Sequence, residues 1–433
     1  MSARIGRVRR AVGRALVDTS LLRRHAGYRR LWTGQLIASV GTQLTVVAVG
    51  YQTYRLTGST PMVGLVSLGQ LVPLLAGSLL GGPLVDAWDR RNVLMATQLL
   101  LAAGVTGLAV NSMLPHPLLW PMFACTAESA AFQGVDWAAR RACLRQLVAP
   151  ADMAAALSLQ SAAFQVTLVV GPAAAGLLIA HAGFSLVYWL NVAAFGMALV
   201  MVVRLPSLRP AGGGQPAGIS SLAGGVRYLR SSPPLAGAFL IDLGAMVFGM
   251  PRAVFPALAV TLYGGGAATV GYLNAAPGLG ATVGSLLTGH AWRVRWAGRW
   301  VAVCVAIWGL AITAFGFVPW LPVALGLLVI AGTADVVSAV FRAMIVQQVT
   351  PDALQGRVNS LIFVGLQGGP RLGDAEAGAA AAVAGPQFAA WSGGLLSVVA
   401  AVATCWAIPQ FWRYRYDTGR VHGPGEDAGP PAG

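Results

Sequence analysis

Apolar residues along this chain come in blocks of about 20, the length of one helical crossing of a bilayer, rather than in alternation. Short connections rich in Gly, Pro and Arg separate the blocks. Read in order, they predict spans near 32–55, 62–86, 93–111, 117–139, 155–181 and 184–204. A second set follows near 235–262, 267–291, 297–317, 321–344, 357–383 and 386–411. Barrel strands would show about ten residues of alternating polarity, a pattern absent here. The expectation is an all-α membrane protein of about twelve transmembrane helices.

Composition agrees with this reading. The chain is 56% hydrophobic and only 10% charged. A water-facing globule carries roughly a quarter charged residues, so this chain has too little charge to cover one. Disorder is excluded by the same apolar content. The net charge of +15 comes from 29 basic residues, none of them lysine. They crowd the segment before the first span and then recur in every second connection, with Arg55 the exception. That distribution is the positive-inside pattern and predicts cytoplasmic termini in a multi-pass protein of the inner or plasma membrane. It excludes nucleic acid, which demands basic residues gathered on one face with stacking aromatics. The basic arm enforces orientation or, alternatively, binds anionic lipid. Its first apolar span ends in no A-x-A site, so it is not expected to be a cleaved signal. The four cysteines and five histidines lack metal spacing, and no metal or cofactor is expected.

Two segments about 200 residues apart share a string: RACLRQLVAPAD from Arg141 and RAMIVQQVTPD from Arg342. Each precedes a helix with Gly-Pro, Gly171-Pro172 in the fifth span and Gly369-Pro370 in the eleventh. GSLLGG (Gly77–Gly82) and GSLLTG (Gly284–Gly289) echo each other at the ends of the second and eighth spans. Every echo links a span to the one six later. The halves are thus parallel, pseudo-symmetric six-helix bundles, which places a substrate site between them. The predicted divisions are a basic arm 1–31, a first bundle 32–204, a linker 205–234, a second bundle 235–412 and a disordered tail 413–433. Ser220 to Arg230 reads as a short surface helix.

The loop after the second span reads GGPLVDAWDRR. Gly82, Leu84, Asp86, Arg90 and Arg91 resemble the signature loop of the major facilitator superfamily, with Ala87 and Asp89 departing from it. Asp86 beside a helix end can pair with arginines across the cytoplasmic seam, as a latch. Gly171, Pro172 and Gly176 in VVGPAAAGLL resemble a signature of that superfamily's proton-antiporting exporters, Ala175 departing. FRAMIVQQVTPDALQGRVNS, GGPRLGDAEAG, YRRLWTGQLIASVGTQL and SSPPLAGAFLIDLGAMVFGMPRAVFPALA resemble its enterobactin-exporter-like, transmembrane secretion effector branch. The resemblance runs from about Tyr28 to Arg413. It implies the major facilitator fold and export of a siderophore or similar amphipathic metabolite. Macrolide efflux proteins share the branch, so multidrug efflux is the alternative.

Charge inside a bilayer is costly, so ionisable residues there are functional candidates. Glu128, Asp242, Asp335, Asp374 and Glu376 qualify, with Arg252 and Arg371 as partners. Arg371 and Asp374 are three apart and positioned for a local pair. Asp335 and Arg342 share a face but are expected to lie too far apart for direct contact. Together with Arg252 these residues form the predicted intramembrane charge pairs or gate. A proton-coupling carboxylate needs distance from arginine, which points to Glu128 first and Asp242 second. Among polar and aromatic residues at span depth, Tyr188 and Asn191 are either cavity lining or interhelical glue. No nucleotide-binding loop or catalytic triad is present, so the chain is not read as an enzyme. The reading is a monomeric transporter of a small molecule, with protons as coupling ion. A non-transporting membrane sensor or enzyme is the alternative of another class.

Overall fold

The computed structural model describes residues 20–209, 219–288 and 295–416. Most of the basic arm, the AGGGQPAG centre of the linker, Arg293 and most of the tail lie outside the described residues. Every regular element among the described residues is helical. This is what lipid demands of a spanning chain, because each backbone N–H and C=O must find a partner within the segment.

Among the described residues, seven stretches are both long and apolar enough to cross a membrane: Thr60–Ala87, Arg90–Met113, Pro150–Val203, Pro233–Thr261, Ala297–Phe317, Leu321–Val349 and Pro386–Ala407. Pro150–Val203 counts twice. Its helix Met153–Val203 breaks at Gly183 (φ 79°, ψ −179°). The chain reverses there, since Gly171 and Asn191 both lie against the first span, at Gln43 and Gly41. Four further long helices, Ala26–Thr57, Trp120–Leu147, Ala267–Leu287 and Asp352–Ala384, are more polar. Together these make the twelve expected crossings, numbered below as spans one to twelve in chain order.

In the first half, span one packs on spans five and six, span two on span four, and span three on spans four and six. In the second, span ten packs on spans eight and nine, span nine on span twelve, and span seven on spans eleven and twelve. The halves meet where span five lies along span eight and where the first part of span two, Thr60–Gly69, lies along span eleven. Glycine makes these approaches close, as is usual between membrane helices. A Cβ on Gly176 would come within 2.7 Å of the Gly271 Cα across the span five–eight seam. The second part of span two, Leu71–Ala87, diverges from span eleven. The seam is therefore tighter at the end holding the connections at 58–59, 183 and 385 than at the end where the described termini lie.

Three elements differ from the sequence expectation. Spans four and ten run on as helix to Leu147 and Val349, beyond their apolar ends. Both repeated strings are therefore helical overhangs, and each stops at a Pro, which forces its predecessor into extended backbone. Ala149 and Thr350 are so placed (ψ 148° and 119°). Span seven is discontinuous: Pro233–Phe248 ends at Gly249, a single turn covers Arg252–Val254, and helix resumes over Phe255–Thr261. Pro251 has no N–H to continue the ladder. The freed carbonyl of Gly249 accepts a hydrogen bond from Trp308 Nε1 at 2.9 Å. The surface helix over 220–230 is found as Ile219–Ser231, tethered by Tyr228 Oη–H donating to the Val349 carbonyl.

Candidate functional site

The break in span seven lies within a network of charges contributed by spans seven, ten and eleven. On one side of it, Arg342 of span ten reaches Asp242 of span seven at 2.8 Å and Asp335 at 3.6 Å. It also donates to Ser338 Oγ at 2.9 Å. The expectation that Asp335 and Arg342 are too far apart was wrong. Two helical turns put both side chains on one face about 10 Å apart along the axis, and the long guanidinium arm folds back to close the gap. Two carboxylates thus share one arginine. Asp335 is 39% exposed although it sits mid-span, while Arg342 is only 10% exposed. An exposed acid at that depth lines a polar cavity rather than lipid.

On the other side of the break, Asp374 of span eleven accepts a hydrogen bond from Ser67 Oγ of span two at 2.5 Å. The backbone amide of Ala253 and the charges of Arg252 and Arg371 also face it. The local Arg371–Asp374 pair is not formed as expected. Arg371 instead donates to the Gln367 carbonyl at 2.6 Å, one turn back, and no ion pair joins it to Asp374 among the described residues. Asp374 serves the seam between the halves, where a Cβ on Gly378 would touch Pro61 of span two. Arg252 feels both Asp374 and Asp335, so the two clusters are electrostatically continuous. Glu376 keeps one buried, unpartnered oxygen near Gly393 of span twelve.

Glu128 lies elsewhere. Its Oε2, buried and unpartnered, presses on Gly104 of span three. Trp137, nine residues on, packs against Phe363 of span eleven with ring centroids 4.6 Å apart and the rings tilted by 34°. Nine residues amount to about 900° of helical rotation, so Glu128 faces away from the side of span four that meets the second half. Tyr188 and Asn191 are glue between spans one and six, bonded to Gln52 at 2.7 Å and Thr45 at 2.7 Å.

Asp136 escaped the sequence reading. It pairs with Arg140 at 2.6 Å and accepts from Thr97 and Gln98 of span three. The signal is present in DWAAR, an acid four residues before an arginine, but Arg140 lies just past the predicted span 117–139, where the positive-inside pattern already accounts for it. In the signature loop, Gly82 lies in the last turns of span two and Asp86 is exposed, with no ion pair among the described residues. The anchoring acid is Asp89, which caps span three through the Arg91 N–H and accepts from Ser207 Oγ and the Leu208 N–H. Arg91 donates to the Val203 carbonyl at 2.6 Å and the Arg90 N–H to that of Leu208 at 3.2 Å. All these bonds stay within the first half and the start of the linker, and cross no seam. Of the two kink motifs, Gly171 and Gly176 face spans one and eight, and Gly369, beside Pro370, faces Met246 of span seven.

Twelve spans in two halves, with ionisable side chains concentrated at a broken helix, describe a solute transporter more than any soluble or enzymatic architecture. A family model described as transmembrane secretion effector matches residues 20–417. The chain belongs to the transmembrane secretion effector family. Members are transporters, not enzymes, and the chain is accordingly a multi-pass membrane transporter. It is 28% identical over 400 residues to a protein named enterobactin exporter EntS in Shigella boydii, covering 92% of this chain and 96% of that one. The protein of that name in Citrobacter koseri is 28% identical over 403 residues, with the same coverage. Among solved structures, a POT family transporter in complex with 5-aminolevulinic acid superposes with a TM-score of 0.72 at 11% identity. It covers 89% of this chain and 97% of that one. A bacterial homologue of the human lysosomal transporter Spinster, inward-facing and unoccupied, gives 0.65 at 13% identity, over 89% and 99% of the two chains. These likenesses show that this family member has the major facilitator fold.

Proposed function

We propose that this protein exports a small amphipathic, siderophore-like metabolite from the cytoplasm by alternating access, exchanging it for protons. In this reading the termini and the arginine-rich connections face the cytoplasm, and the halves, 32–204 and 235–412, rock about the linker. The observation that carries the coupling is the pair of carboxylates, Asp242 and Asp335, held by the single Arg342. The trio bears one surplus negative charge, so one proton neutralises it, and the exposed Asp335 gives that proton a route from the cavity. Opposite charges packed this closely are retained in a bilayer where their cost is offset by a task. Glu128 becomes the lesser candidate, because it faces away from the opposing half. The siderophore-like substrate is supported by the relatives' printed name.

Inverted membrane vesicles offered a labelled catecholate siderophore, and separately a macrolide, test the proposal with and without an imposed pH gradient. Gradient-driven accumulation of the siderophore, lost in Asp242→Asn or Asp335→Asn and kept in Glu128→Gln, is the expected result. Accumulation of the macrolide alone would replace the substrate class. Accumulation indifferent to the gradient would remove proton antiport.

A further inference from the structure

We propose that the junction of spans nine and twelve, at the end of the bundle holding the termini, binds the phosphate of an anionic phospholipid. Trp296 caps span nine. The guanidinium carbons of Arg299 and Arg415 lie 3.8 Å and 3.9 Å from the centre of its ring. Arg299 also lies 5.6 Å from the ring of Trp412. The segment after span twelve is held in place by the Tyr416 N–H, which donates to the Arg295 carbonyl at 2.6 Å.

This arrangement brings two cations within about 8 Å of each other, inside one screening length at physiological salt. Among the described residues no carboxylate lies within ion-pair distance of Arg295, Arg299 or Arg415. Arg299 Nε is buried and has no hydrogen-bond partner among the described residues. Cation–π contacts orient the guanidiniums without neutralising them. The two guanidiniums lie on opposite faces of the indole, and a phosphate at the exposed Arg415, within the field of Arg299, would relieve their repulsion; arginine forks suit phosphate geometry.

The surroundings select a lipid over a free anion. Trp300 and Trp412 expose their indoles beside the arginines, as side chains at a membrane interface do. From Trp300 an exposed apolar stripe, Val303, Ile307 and Leu310, runs down span nine. Its spacing of three and four residues keeps it on one helix face. Val399, Val402 and Trp406 form a second exposed row on span twelve. A headgroup at Arg299 and Arg415 therefore has a track for its acyl chains, which a soluble phosphate would leave unused.

Thermal unfolding of the full-length protein in detergent tests the site, with added dioleoyl phosphatidylglycerol, dioleoyl phosphatidylcholine or inorganic phosphate. Phosphatidylglycerol is expected to raise the midpoint by several degrees and the other two not to. Arg299→Gln/Arg415→Gln is expected to lose more than half of that shift, and Arg227→Gln/Arg230→Gln, on the exposed linker helix, to keep it. Should the first pair fail to fold, Arg415→Gln alone, an exposed position, is compared with the unmodified protein for the number of bound phosphatidylglycerol molecules by native mass spectrometry. An equal shift with inorganic phosphate, an unchanged shift or bound-lipid count in the Arg299 and Arg415 variants, or an equal loss in the linker variants overturns the proposal.

Discussion

Arg342 holds two acids at once, so removing it does more than delete one interaction. Arg342→Gln leaves Asp242 and Asp335 mid-span without their common counter-charge, and breaking a buried pair this way costs about 3–5 kcal/mol. The expected result is a lower unfolding midpoint in detergent, with Asp242→Asn costing clearly less because it leaves Arg342 paired to Asp335. Asp89 shows the same logic outside the bilayer. Burial pushes its carboxyl up, but hydrogen bonds from Ser207, Leu208 and Arg91, with Arg209 nearby, outweigh burial and hold it below the usual carboxylate range. A depressed pKa means that this contribution is present above the unfolded value, about 4, and is lost as pH falls through the lowered one. Asp89→Ala should therefore cost about 1–2 kcal/mol at neutral pH, as loss of a helix cap does. Melting of the two proteins across a pH series should show the difference shrinking in acid.

Helix boundaries obey simple chemistry at most connections, and the exceptions are where the chain needed tertiary help. Spans five and six turn on the single residue Gly183, whose φ of 79° is open to glycine and strained for any other residue. A Cβ there would meet nothing within 4 Å, so Gly183→Ala isolates backbone strain. The expected cost is about 1–3 kcal/mol, read as a lower midpoint at unchanged helicity by circular dichroism. The break in span seven was signalled by Gly249-Met250-Pro251. An average over the whole span hides it, because the apolar stretches on both sides outweigh Gly249, Pro251 and Arg252. What makes the break tolerable is Trp308, 59 positions further along the chain, which satisfies the stranded carbonyl.

Across the whole molecule, the two halves are held together more firmly at one end than at the other, which is the geometry of a transporter caught on one side of its cycle. Ser67 and Asp374 join spans two and eleven at that closed end. Pro61→Cys/Gly378→Cys, beside that bond and outside the charge network, in a background where Cys125, Cys143, Cys304 and Cys405 are replaced, should form a disulfide under oxidation. Transport in vesicles is expected to stop when the pair is oxidised and to return on reduction; uninterrupted transport with the crosslink in place would show that this seam does not open. The sequence by itself determined the twelve crossings and the duplication, because bilayer thickness and backbone hydrogen bonding leave a spanning chain few choices. It also identified nearly every intramembrane charge, since charge is rare in that solvent. Only the tertiary structure decided which charges meet: Arg342 with Asp242 and Asp335, Asp374 with Ser67, Asp136 with Arg140, and Glu128 with none. Partner choice depends on the rotation and depth of neighbouring helices and on where long side chains fold, and those are set by packing between spans far apart in the chain.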